Sequence, residues 1–138
     1  MDSLCVKKCT IYSRHHSKQA VKNIQDSIIH MISNDIDYRT PYDRSLNFYV
    51  EGMITTNNTV ELAINITPVF TKKDKKQTLK KYIIFKTSLK IDNLIKDLHK
   101  EISWLLFYFG FTIMYVIKYF KAIEIEKVGK GYTIAYIK

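Results

Sequence analysis

Sixteen consecutive positions, 102–117, carry no charged side chain, and they lie within residues 91–121, IDNLIKDLHKEISWLLFYFGFTIMYVIKYFK, which hold the only tryptophan of the chain. Any fold must bury or partner that run. As a helix, the run would reach about 24 Å, short of the roughly 30 Å hydrocarbon core of a bilayer. Its apolar period also changes part-way, which a membrane-spanning helix does not require. A soluble domain with no membrane partner is therefore expected.

Ile91, Ile95, Leu98, Ile102, Leu105, Leu106 and Phe109 recur at the three-and-four spacing that lines one face of an α-helix, with Asp92 as the expected N-cap. Asn93, Lys96, Asp97, Lys100 and Glu101 take the opposite, solvent-facing side of its first half. Trp104, Phe107 and Tyr108 then make the second half apolar all round. This predicts that Trp104 is buried, with a sheet on one side of the helix and the terminal hairpin or a second subunit on the other. Gly110 fits the left-handed residue beyond a helix end, and Ile113, Tyr115, Ile117 and Tyr119 alternate with Thr112, Met114, Val116 and Lys118. The chain is expected to turn from helix to strand at Gly110 and to run on through Ile125.

Upstream, residues 6–13 read as a weak first strand, at an edge. From Ser17, Ala20, Ile24, Ile28, Met31 and Ile32 form one helical face as far as Ser33. Residues 34–44 carry Asp35, Asp37, Pro41 and Asp43 with neither period, and read as a connection. Leu46, Phe48, Val50 and Ile54, then Val60, Leu62, Ile64 and Ile66, alternate as two half-buried strands. A two-residue turn would set Ile54 against Glu61. A three-residue loop, 56–58, pairs Ile54 with Val60 and Val50 with Ile64, and requires a left-handed Asn58. Pro68 marks a bulge or an edge position near the end of the second strand, and 71–78 connects to a third strand, 79–89, apolar on both faces and hence central or covered. VGKG, 128–131, is a turn before a last strand, 132–137.

The order β-α-β-β-β-α-β-β packs most simply as a single α+β two-layer domain spanning 1–138, a mainly antiparallel sheet with two helices on one face. The sequence shows no internal repeat.

Net charge is +9, and only three of the 22 basic residues are arginine. Isoleucine, lysine, tyrosine and asparagine dominate at the expense of alanine, glycine and proline, the signature of an AT-rich genome such as that of a large DNA virus, an AT-rich protist or an organelle. Part of the charge is thus coding background. The start, MDSLCVKK, has no apolar core of a signal peptide, so an intracellular location, cytoplasmic or nuclear, is expected.

Recognised catalytic and phosphate-loop motifs are missing, which points away from an enzyme and from cofactors. Cys5, Cys9, His15 and His16 are ligand types, but on a strand the two cysteines sit roughly 13 Å apart, too far to share one zinc, so no metal site is expected. Asp35, Asp37 and Asp43 suit turns, Glu124 and Glu126 a solvated face, and His30 and His99 the borders of helical stripes. Lys72, Lys73, Lys75, Lys76, Lys80 and Lys81 stand against Asp74 alone. They predict a non-catalytic nucleic-acid binder gripping phosphates through a Lys-rich hairpin, with Tyr49, Phe70, Tyr82 and Phe85 nearby for base stacking. The alternative is a protein-interaction or assembly module, self-association included, that uses Trp104, Phe107 and Tyr108.

Overall fold

A computed structural model describes residues 5–36, 46–68, 82–119 and 122–137, the side chains of 68, 109–119 and 137 excepted. Strands β1 (Val6–Tyr12), β2 (Leu46–Ile54), β3 (Thr59–Pro68), β4 (Tyr82–Lys90), β5 (Ala122–Val128) and β6 (Gly131–Ile137) form one sheet in strict chain order. Helix α1 (Lys18–Asp35) joins β1 to β2, and a 3₁₀ turn, Ile91–Asn93, leads into α2 (Leu94–Tyr119), which joins β4 to β5. The expected α+β class and element order hold.

Parallel pairing of β1 with β2 and of β4 with β5, with the other three pairs antiparallel, means that β1, β2, β4 and β5 run one way and β3 and β6 the other. Both helical crossovers therefore start from strands of one direction and step one place along the sheet in the same sense. Crossovers of one handedness then place both helices on one face. α1 lies over β1, α2 over β4 and β5, and the helices touch each other. The topology is thus a β-α-β-β unit used twice in tandem, a repeat that leaves no trace in the residues.

Alternation sets the core. Leu46, Phe48, Val50 and Ile54 of β2, Val60, Leu62, Ile64 and Ile66 of β3, and Ile83 and Phe85 of β4 are all buried beneath the helices. Ile28, Met31 and Ile32 of α1 and Leu94, Leu98, Ile102 and Leu105 of α2 meet them. Gly52 sits in this layer because a Cβ there would lie 2.7 Å from Leu62, 2.9 Å from Ile11 and 3.0 Å from the Glu61 carbonyl. Ser17 caps α1, accepting from the Ala20 amide at 3.1 Å.

The β2–β3 hairpin has the predicted register: Ile54 pairs with Val60, Gly52 with Leu62, Val50 with Ile64 and Phe48 with Ile66. Asn58 takes φ 54°, and the Asn58 amide donates to the Thr55 carbonyl at 3.2 Å. Pro68 ends β3, beyond the last β3–β4 pair, Ile66 with Ile83.

Four expectations are corrected. The chain does not leave the helix at Gly110, since α2 continues for 26 residues to Tyr119. Parallel pairing of Tyr82 with Ala122 and Phe85 with Ile125 requires the chain to travel back along the whole of β4 first. A helix of that length covers the distance at about 1.5 Å per residue, and the return outweighs the cost of roughly 1 kcal/mol for an internal glycine. Asp92 is not a side-chain cap; it lies inside the 3₁₀ turn, whose N-terminus has no side-chain cap bond. Glu101 does not face solvent, and Trp104, Phe107 and Tyr108 are not covered on both sides. One layer of sheet lies beneath α2, and all three rings remain exposed.

Candidate partner-binding surface

β5 and β6 close through a two-residue turn, because Val128 pairs with Gly131 and only the first central residue, Gly129 at φ 59°, enters the left-handed region. The turn fixes Lys127 opposite Tyr132, Ile125 opposite Ile134 and Ile123 opposite Tyr136. Ile123 and Ile125 belong to the core, so these pairs stand on the helix-bearing face.

α2 crosses above and brings Glu101, only 8% exposed, onto the first pair. Lys127 Nζ forms an ion pair with Glu101 Oε1, and Tyr132 OH donates to Oε2 at 3.2 Å. A buried carboxylate is tolerated because both of its oxygens are engaged. Burial, then the negative charge of Glu101 and its hydrogen bond, push the Tyr132 phenol up to about 12.

One turn along α2, the Trp104 indole stacks on Tyr132, with centroids 5.1 Å apart and planes 14° from parallel. Tyr108 packs on the indole at 3.9 Å, and Phe107 meets Tyr108 edge-on at 5.1 Å. The Glu101–Tyr132 bond thereby anchors a row of rings whose far members face solvent. Trp104 is 43% exposed, Tyr108 55% and Phe107 78%. Next to them on β6, Ile134 is 38% and Tyr136 53% exposed.

All three sequence-derived partner residues, Trp104, Phe107 and Tyr108, therefore fall in one patch. The six lysines, Lys72, Lys73, Lys75, Lys76, Lys80 and Lys81, lie outside the described residues, as do Asp37 and Asp43. Tyr49 and Tyr82 share the helix-free face of the sheet, and Phe85 is core. That face bears an open concavity of about 510 Å³, with Glu51, Met53, Glu61, Lys86, Ser88 and Glu126 among its lining. Glu126 pairs in register with Lys86, as befits a solvated face.

Cys5 is buried and hydrogen-bonds Ser33, and Cys9 is half-buried, with its thiol raised to about 11 by burial and by Asp26. They are packing residues with thiols too weakly acidic for ready reactivity. Among the described residues no group of three or more His, Cys, Asp or Glu could hold a metal. His99 donates to the Asp35 carbonyl at 3.1 Å, tying α2 to the end of α1.

Sequence reasoning missed Glu101, Lys127, Tyr132, Ile134 and Tyr136. The VGKG stretch reads only as a turn, so neither the pairing of Lys127 with Tyr132 nor the return path of α2 that brings Glu101 over them follows from it. Comparison with protein-family models, curated proteins and solved structures finds no match for the chain. Among the described residues no helix is long and apolar enough to cross a membrane.

Proposed function

We propose that the chain is a protein-interaction or assembly module that binds through Trp104, Phe107 and Tyr108 at the exposed side of α2, together with the adjoining edge of β6. One observation carries the reading: an aromatic row held in place by a buried, hydrogen-bonded carboxylate, yet left facing solvent. Taking ~200 Å² for a whole aromatic side chain, the patch exposes about 500 Å², a size that on monomers often marks a functional surface. Tryptophan and tyrosine are also the side chains on which interface energy concentrates, since they present large rigid area at little entropic cost.

A photo-crosslinking amino acid at position 107 tests this in cells of the native host. Covalent protein adducts are expected there and not from the same group at Met53 on the opposite face. Equal labelling at both positions, or none at 107, would overturn the reading.

A second reading, non-specific nucleic-acid binding through Lys72, Lys73, Lys75, Lys76, Lys80 and Lys81, is favoured by the net charge of +9. Lysines without arginine forks would hold phosphates rather than read base edges. With four to six phosphates engaged, log affinity for duplex DNA should fall with log salt at a slope near about −4 to −5. An affinity indifferent to salt would eliminate it.

A further inference from the structure

We infer that the partner of this surface is a second copy of the chain, joined edge to edge through antiparallel β6 strands across a twofold axis. The inference rests on the interaction reading above and names its occupant. Read outward from Ile134, β6 is a near-palindrome: Tyr132, Thr133, Ile134, Ala135, Tyr136. An isologous antiparallel pair centred on Ile134 sets Ile134 against its own copy and Tyr132 against the partner copy's Tyr136. On the other face it sets Thr133 against Ala135, small against small. No charge lies within the strand, and among the described residues nothing pairs with its outer side. The same edge read against an unrelated strand has no such self-match.

The helix layer fits the same symmetry. Tyr132, Ile134 and Tyr136 stand on the face that carries α2, and a twofold axis perpendicular to the sheet keeps both helix layers on that face. Each copy's Trp104, Phe107 and Tyr108 would then flank the junction from opposite sides. The exposed side chains alone supply roughly 1,000 Å² over two copies, and the strand backbones bring the total towards the 1,200–2,000 Å² of a specific interface. Neither the edge nor the rings would reach that range separately. Salt gives a signature of its own: two copies of charge +9 repel, so salt should strengthen their association, whereas it weakens contact with a polyanion.

Sedimentation equilibrium of the full chain tests the pairing. A monomer–dimer equilibrium that tightens with salt is expected, with Ile134→Lys weakening it about ten-fold or more by setting two ammonium groups face to face. Circular dichroism must show that variant folded. A gain-of-signal variant covers the case where it is not: Ile134→Cys should form a disulfide-linked dimer on mild oxidation, because directly opposed antiparallel residues lie about 4.5–5.5 Å apart, within disulfide reach. Wild-type protein, whose Cys5 and Cys9 are packed, should not. A chain that stays monomeric up to about 1 mM, or Ile134→Cys that fails to cross-link, overturns the pairing. Cross-links from position 107 to other proteins would in that case leave the interaction reading standing, and their absence would remove both.

Discussion

At one edge of the sheet, β1 presents Lys7 and Lys8 and a register shift between Val6 and Lys8 where it pairs with β2. At the other, β6 pairs with β5 without interruption and carries Tyr132, Ile134 and Tyr136, with lysines only outside the strand at 130 and 138. Charge and irregularity are what natural sheets use to stop an edge from recruiting further strands. The helices differ in the same way. α1 buries Ile28, Met31 and Ile32 over its own unit, whereas α2 leaves three aromatic rings exposed. Two copies of one β-α-β-β plan have thus been finished differently on the helix-bearing side, where the second leaves three aromatic rings exposed, while Tyr12, Tyr49 and Met53 of the first are exposed on the opposite face. Stability therefore resides in side chains that both units bury, and the association proposed above would draw on the rings that α2 leaves exposed.

The largest effect expected from this division is on folding. Ile32→Ala, in the closed unit, should lower the unfolding free energy by about 2–5 kcal/mol through loss of burial and the cavity left behind. Phe107→Ala should change it by no more than about 0.5 kcal/mol in a dilute monomer. Urea titrations of both variants check this, and equal losses would show that the aromatic side of α2 is core after all.

An intermediate effect is expected where the open unit is fastened. Glu101→Gln removes the charge that holds Lys127 and Tyr132 and should cost about 1–2 kcal/mol. The effect on pH follows from the raised phenol. Tyr132 ionises near 10 when unfolded and at about 12 when folded, so its contribution to stability is complete below pH 10 and is lost as pH rises from 10 to 12. Wild-type protein should therefore lose more stability across that window than Tyr132→Phe, with Glu101→Gln in between because burial persists after the charge is gone. Urea midpoints measured at steps of pH would show it; parallel curves for wild type and Tyr132→Phe would refute the linkage.

Much of this architecture was readable from local pattern. Alternation in β2 and β3, with Asn58 as the one residue needing a left-handed backbone, specified the hairpin register outright, since a slip by one residue would have turned Ile54 and Val60 outward. The helix limits at Ser17 and the turn at Gly129 follow from equally local chemistry. The failures share a non-local cause. Residues 111–119 are apolar at nearly every position, and such a run reads equally well as strand or buried helix. The decision lay with β4, the parallel partner of β5, whose Tyr82 pairs with Ala122 far along the chain. Once α2 is known to return along β4, Glu101 necessarily comes to rest above Lys127 and Tyr132, and Trp104 over Tyr132.

The smallest effect concerns the guarded edge. Replacing Lys7 and Lys8 by threonine should leave stability within about 0.5 kcal/mol, because both side chains are exposed. It should nonetheless introduce a second self-associating edge. Light scattering at rising concentration would then show species beyond a dimer, and a variant no more prone to assemble than wild type would mean that the lysines are not what closes β1.

Strict chain order in the sheet also determines when each edge comes into being. Every strand pairs with the one synthesised just before it and the one just after, so the ribosome delivers partners in the order in which they are needed. Of the six strands β1 emerges first, and its lysines are present before the other five. β6 becomes an edge only when residues 131–137 have emerged, after five strands are already available to pair. Of the six strands the uncharged edge is thus the last to emerge, and in the pairing proposed above a neighbouring nascent chain still short of residue 131 has no β6 with which to meet it.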